Sequence, residues 1–158
     1  MSDIVIRPAK EDDWDLVEEG LIEGELLTER PERRSVISRE RLRENARKSI
    51  DRYHRNAKKP EAAFIAETGG VRAGFVWVTT EINFSDDDTC GWVLEIYVLP
   101  EYRRRGIAAK LLQRAEEWTR EQNATSLWLN AGGNNDAALA LYKRVGFSVE
   151  TVHMSKRL

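Results

Sequence analysis

Thiol and imidazole chemistry have little to work with in this chain of 158 residues, which carries one cysteine, Cys90, and two histidines, His54 and His153. A lone cysteine excludes an internal disulfide and a cysteine-rich metal site, and histidines so far apart give no ligand spacing, so no metal is expected. Proline is equally scarce at four residues, and there is no linker, repeat or low-complexity stretch. Long apolar runs are missing: none approaches the roughly 18 residues that span a bilayer, and no basic-then-apolar leader opens the chain. The expectation is one cytoplasmic domain over residues 1–158, in a reducing compartment, with no membrane partner. The 25 Lys+Arg against 27 Asp+Glu leave a net charge of −2, which makes a nucleic-acid partner an unfavoured expectation.

The near-neutral sum hides a strong local asymmetry. Residues 11 to 32 hold ten acids and one base, whereas residues 33 to 59 hold eleven bases and three acids. Taken alone, the basic stretch could steer an anionic ligand or partner, while the acidic segment Glu18 to Glu29 suits a cationic one. A charge run on an amphipathic helix is otherwise a solvated face.

Periodicity orders the rest. A strand is read over Asp3 to Arg7, stopping at Pro8, then a helix capped by Asp12 or Asp13 with Trp14, Val17, Leu21, Leu26 and Leu27 roughly on one face, broken by Pro31. A second helix runs from about Ser38, through Leu42, Ala46, Ile50, Tyr53 and Ala57, to Lys59-Pro60. Two β-type runs, Ala62 to Glu67 and Val71 to Phe84, flank Thr68-Gly69-Gly70 as a hairpin. A turn at Ser85 to Asp88 leads to the apolar strand Gly91 to Leu99. The helix holding Ile107, Leu111, Leu112, Ala115 and Trp118 ends at Asn123, and Ser126 to Leu129 is a strand. Asn134 or Asn135 caps a last helix that Gly146 closes before a final strand from Phe147. The implied class is α/β, or α+β: a central mixed, mostly antiparallel sheet with helices on both faces.

One junction suggests chemistry. Val98 to Ala109 joins the apolar strand to a helix through Arg103-Arg104-Arg105-Gly106. Free amides at a helix start, the helix dipole, a glycine that admits close approach and the small Ala108 and Ala109 together suit a phosphate. Read alone, the same turn is an ordinary basic helix cap. Downstream lies Asn135-x-x-Ala138-x-x-x-Tyr142-x-x-x-Gly146-Phe147.

Together these two segments resemble the GNAT superfamily of acetyl-CoA-dependent N-acetyltransferases, a resemblance that runs from Ile6-Arg7-Pro8-Ala9 to the closing Met154-Ser155-Lys156-Arg157-Leu158. It implies a GNAT-like fold and acetyl-CoA as acetyl donor, with direct transfer to an amine acceptor of unspecified identity in a ternary complex; a homodimer is compatible with it. It places the pyrophosphate on Arg104, Arg105, Gly106, Ile107, Ala108 and Ala109, with Arg103 adding charge. It also implies a strand that splays from its neighbour, so that Ile96, Tyr97 and Val98 pair with the pantetheine and the Val98 amide serves as oxyanion donor. Asn135 caps its helix and, by resemblance, touches the cofactor.

By the same resemblance Tyr142 lies beside the sulfur and protonates the departing thiolate. With reference values of about 10 for a phenol and about 8.5 for a thiol, that transfer is slightly uphill, leaving a plain hydrogen bond as the alternative. Members that acetylate N-termini commonly carry a glutamate after the strand written here Leu127-Trp128-Leu129, where this chain has Asn130. Glu95, an acid inside an apolar strand, is the better base, with Glu81 a weaker one and a salt bridge to a neighbouring arginine the bland alternative for Glu95. Cys90 has no activating histidine nearby, and His54 and His153 read as a surface helix residue and a strand residue. The competing expectations are an acetyl-CoA-binding module without turnover and a binding domain that uses the basic helix 39–59.

Overall fold

The computed structural model describes residues 3–156 and Leu158; Arg157, within the closing run, lies outside them. Five strands form one sheet in the order β1 (Ile4–Pro8), β2 (Glu61–Thr68), β3 (Val71–Ile82), β4 (Thr89–Val98) and β5 (Leu127–Leu129). The first four pair antiparallel and β5 joins β4 parallel. Gly69 and Gly70, both at positive φ, make the two-residue turn between β2 and β3, the backbone that a tight hairpin of native twist requires.

The helices divide between the two faces. On one, α4 (Ile107–Glu121) sends Ile107, Leu111, Leu112 and Ala115 into a core with Phe64, Val76, Val78 and Val93. α5 (Asp136–Arg144) packs on the same core through Leu141 and Tyr142. On the other, α1 (Trp14–Thr28) and α3 (Arg39–Ile50) bury Trp14, Leu16, Val17 and Ile50 against Ile65, Phe75, Trp77 and Tyr97. This is the mixed sheet with helices on both faces that the periodicity implies.

Several local expectations change. Leu27 is exposed, and Leu16, Gly20 and Ile22 face inward instead, because α1 covers the sheet with its first two and a half turns and overhangs it with the last. Asp13 occupies the helix-start position without a side-chain cap. Its carboxylate instead takes Arg7 Nη1 and the Lys10 amide, each at 2.7 Å, and the Arg7 bond above all holds its pKa down. Pro31, besides ending α1, opens α2 (Pro31–Arg34), where its missing N–H costs nothing. Ser38 caps α3, accepting from the Arg41 amide. The helical spacing past Ile50 belongs to a π-helical turn at Asp51–Arg55, and Ala57 is exposed. β3 stops at Ile82, leaving Phe84 fully exposed. No strand forms from Phe147 among the described residues, and Val149, Val152 and Met154 stay in solvent.

The two opposed charge fields turn out to face each other. From α3, Arg39 reaches Glu19 and Glu23 of α1 at 2.9 and 2.6 Å, Arg43 reaches Glu18 at 3.3 Å, and Arg47 reaches Glu18 at 3.0 Å. Three arginines of the basic face are therefore paired with its own neighbour while staying exposed, and Arg41 and Lys48 of the same helix are exposed as well. Such exposed pairs are each worth under about 1 kcal/mol. Arg47→Ala is accordingly expected to lower the unfolding free energy by less than about 1 kcal/mol, whereas Leu111→Ala, from a fully buried position, should cost about 2–5 kcal/mol, both read from denaturant midpoints.

Candidate active site

The site begins with an irregularity in β4. Glu95 pairs with Trp77 and Val93 with Val78, so Leu94 has no partner on β3: it is a one-residue bulge. An extra residue reverses the alternation beyond it. Val93 enters the α4 core, yet Glu95 lies against α1 and Tyr97 joins the core beneath α1 and α3. The backbone changes phase as well. The Gly91 amide bonds toward β5, to Ser126 O, at 2.8 Å, whereas the Leu99 amide bonds toward β3, to Ala73 O, at 2.9 Å. By alternation back from Leu99, the N–H groups of Val98 and Ile96 point away from β3. Pairing between β4 and β5 covers only Gly91 to Val93. Past the bulge the two strands are unpaired, and the Val98 amide points into this gap in the ladder without a strand partner.

At the far end of β4 the chain turns through a 3-10 segment at Pro100–Tyr102 into α4. Two of the three arginines brace this turn. Arg103 Nε donates to Val98 O at 2.9 Å and its guanidinium lies over the Tyr97 ring, while Arg105 donates to Glu101 O at 3.0 Å and lies over Tyr102. Arg104 has no partner among the described residues and sits at φ 64°, a left-handed conformation rare for its type. Gly106 follows at φ 78°, with nothing within 4 Å of where a Cβ would stand. The amides of residues 104–109 have no acceptor among the described residues. They form a concave row of donors at the positive end of a helix, the arrangement that binds phosphate. Ile107 contributes its amide only, since its side chain is core, and Ala108 and Ala109 are half-buried.

α5 supplies the other wall. Asn135 Oδ1 accepts the Ala138 amide at 3.2 Å, capping the helix as its residue type suggests. At the other end Gly146 adopts φ 103°, and the Phe147 amide returns to Tyr142 O at 2.9 Å, which sets the Phe147 ring against Tyr142. The Tyr142 hydroxyl has no hydrogen-bond partner among the described residues. Burial first, and the charge of Glu95 second, push its pKa up to about 12. Tyr142 belongs to the α4 face and Glu95 to the α1 face, yet the Glu95 charge acts on the Tyr142 hydroxyl, which sets the two near one another at the gap.

Glu95 is half-buried, and its ion-pair alternative is not realised: among the described residues no arginine, lysine or histidine pairs with it. Its Oε1 accepts the Ile96 amide at 3.1 Å, which favours the charge, but desolvation outweighs this, and with Glu25 adding repulsion the pKa rises to about 8. Glu81 is placed quite differently. It is ion-paired to Lys59 and stands opposite Cys90 in the register, on the far side of the bulge from Glu95. Cys90 is buried, and burial raises its thiol pKa. Asn130 is exposed just beyond β5. His54 departs from its reading as a surface residue: it stacks on Trp14 at 3.8 Å and hydrogen-bonds Glu61, which also accepts from Trp77 Nε1. Stacking and a shared carboxylate were not visible in its spacing. Among the described residues no group of three or more His, Cys, Asp or Glu could hold a metal, and no helix is long and apolar enough to cross a membrane.

Residues 25–147 match the model of the acetyltransferase (GNAT) family. The chain belongs to that family. An N-alpha-acetyltransferase of Sulfurisphaera tokodaii is 37% identical over 98 residues, covering 57% of this chain and 59% of that protein, so the chain spans less than two thirds of this relative. A solved structure from Pyrococcus furiosus, assigned as an acetyl transferase, superposes with a TM-score of 0.81 at 22% identity, covering 99% of this chain and 100% of that one. An aminoglycoside N-acetyltransferase in complex with CoA gives 0.70 at 18% identity, over 99% and 96%. At such identities the structural likeness is one of fold. Within this GNAT fold, the unpaired Glu95 has a consequence for stability. Its carboxyl titrates near 4.5 unfolded and about 8 folded, so folding takes up a proton between those values, and stability falls as pH rises through that window and levels off above it. Glu95→Gln should therefore match the parent near pH 4.5 and exceed it progressively toward pH 9, by on the order of a few kcal/mol, in thermal or denaturant unfolding. A pH-independent difference would contradict this environment for Glu95.

Proposed function

We propose that the protein is an N-acetyltransferase that moves the acetyl group of acetyl-CoA to a primary amine of a small molecule, peptide or protein. The observation that carries this reading is the open edge of β4. A free Val98 amide, a continuous row of free amides at residues 104–109, and Glu95 and Tyr142 around the same gap lie along one path, with unpaired backbone donors for an extended polar chain ending in a phosphate site.

In this reading the amides of Arg104 to Ala109 hold the pyrophosphate, and the Arg104 side chain, having no other partner, adds charge. Arg103 and Arg105 stiffen the turn and keep their remaining guanidinium nitrogens for the same anion. The edge formed by Ile96, Tyr97 and Val98 aligns the pantetheine arm, and the Val98 N–H donates to the thioester oxygen as charge develops there. Bound acetyl-CoA supplies the activated acetyl group. Asn135 fixes the start of α5, and so the position of Tyr142.

Glu95 acts as the base. An amine with a pKa near 10 arrives protonated, and a carboxylate at about 8 is better matched to it than one in the ordinary range, directly or through a water. Tyr142 presents its hydroxyl to the leaving sulfur. A phenol at about 12 lies well above a thiol at about 8.5, so Tyr142 holds the sulfur by a hydrogen bond and full proton transfer from it is unfavourable. The buried Cys90 offers no covalent detour, which supports direct attack by the amine.

Calorimetry with acetyl-CoA, followed by free-thiol release over a panel of amines, tests the assignment; saturable binding without thiol release on any amine would leave a binding module. Tyr142→Phe is expected to fold normally and to lose about ten-fold or more in kcat, with KM for acetyl-CoA little changed. In kcat/KM against pH, the parent should show an acidic limb near 8 that Glu95→Gln abolishes. Gly106→Ala, forced to hold a left-handed φ with a Cβ, should raise KM for acetyl-CoA about ten-fold while Tm moves only a few degrees.

A further inference from the structure

α1 carries two glycines on the side that faces the sheet, the buried Gly20 and the half-buried Gly24, each a local cost in a helix. Four helix residues advance about 6 Å and two strand residues about 6.6 Å, so a helix lying along β4 can set one glycine over each same-face strand residue. That is the observed pairing. A Cβ on Gly20 would stand 2.3 Å from the Phe75 ring and 3.1 Å from Tyr97 Cβ, whereas one on Gly24 would stand 2.9 Å from Glu95 Oε2 and 3.0 Å from both its Cδ and Oε1. Gly20 lets the helix approach the sheet. At Gly24 the three nearest atoms all belong to the Glu95 carboxyl.

We infer that Gly24 is a positioning residue for the proposed reaction: its missing side chain is the space in which the Glu95 carboxyl lies, against α1. This rests on the reading of Glu95 as the base. The carboxyl is the mobile end of a flexible side chain, so a methyl group at position 24 displaces it and leaves the helix in place. The groups facing it are Glu25 from α1, Tyr142 from α5, and the Ile96 amide of its own strand, with Trp77 opposite on β3. None of these four is a cation, so the desolvation imposed by bare helix backbone is what a displaced carboxyl escapes.

The test is Gly24→Ala in the full chain, followed by carbon-detected NMR titration of the Glu95 carboxyl and by the pH profile of kcat/KM. The Glu95 midpoint should fall by about one pH unit or more, and the acidic limb should move with it by the same amount, an equivalent ten-fold change in the ionised ratio at fixed pH. A midpoint that stays within about 0.3 unit of the parent overturns the inference. If the midpoint falls and the acidic limb does not follow, Gly24 positions the carboxyl as inferred and Glu95 is not the base. If Gly24→Ala does not fold, Gly24→Ala/Glu95→Ala decides: recovery of a cooperative transition identifies the carboxyl as the obstructing group, and continued failure to fold overturns the inference.

Discussion

One inserted residue in β4 organises the site. Had Leu94 been paired, Glu95 would point into the hydrophobic core under α4, where a carboxylate is untenable, and the edge of β4 could have continued its ladder with β5. The bulge changes both at once. It turns the acid to the α1 side, where its carboxylate takes the Ile96 amide, and it leaves the Val98 amide without a strand partner, so the side-chain chemistry and the backbone chemistry of the gap have a common cause. The turn that follows depends on it too, since Arg103 takes hold of the Val98 carbonyl on the same freed edge.

The groups around the gap are held in states that a stability-driven sequence would avoid. An acid without a cation, a tyrosine hydroxyl without an acceptor, an arginine with positive φ and a row of unmatched amides each raise the energy of the folded protein slightly. They are supported by ordinary features nearby: the Asn135 cap, the Gly146 turn that seats Phe147 on Tyr142, and the two arginines that lean on aromatic rings.

The sequence made most of the frame legible. Gly69-Gly70, the Ser38 and Asn135 caps and the apolar rhythm of α4 depend on near neighbours, and each appears within a residue or two of its expected place. Glu95 as a candidate was legible because an acid in an apolar strand is conspicuous, whereas its lack of a cation was not, since an ion pair to a neighbouring arginine fits the same sequence. What escaped depends on partners distant along the chain. The bulge is a matter of register against β3; the stacking of His54 requires Trp14 to arrive from another helix; the fate of the basic stretch depended on α1 lying beside it. Leu27 shows the limit of periodicity, which gives a face but not how far the surface beneath it extends. The stretch after Phe147 alternates as a strand does, yet alternation alone supplies no ladder.

The pairing of α1 with α3 also bears on how molecules meet this protein. Two blocks of opposite charge, had they faced outward on separate sides, would have given the protein a large dipole reaching well beyond a Debye length at low salt. Joined through Arg39, Arg43 and Arg47, the blocks cancel in part at short range, which shrinks that dipole in a chain whose net charge is −2. Less of recognition is then left to long-range steering and more to contact, where the amide row and the gap act on whatever diffusion brings.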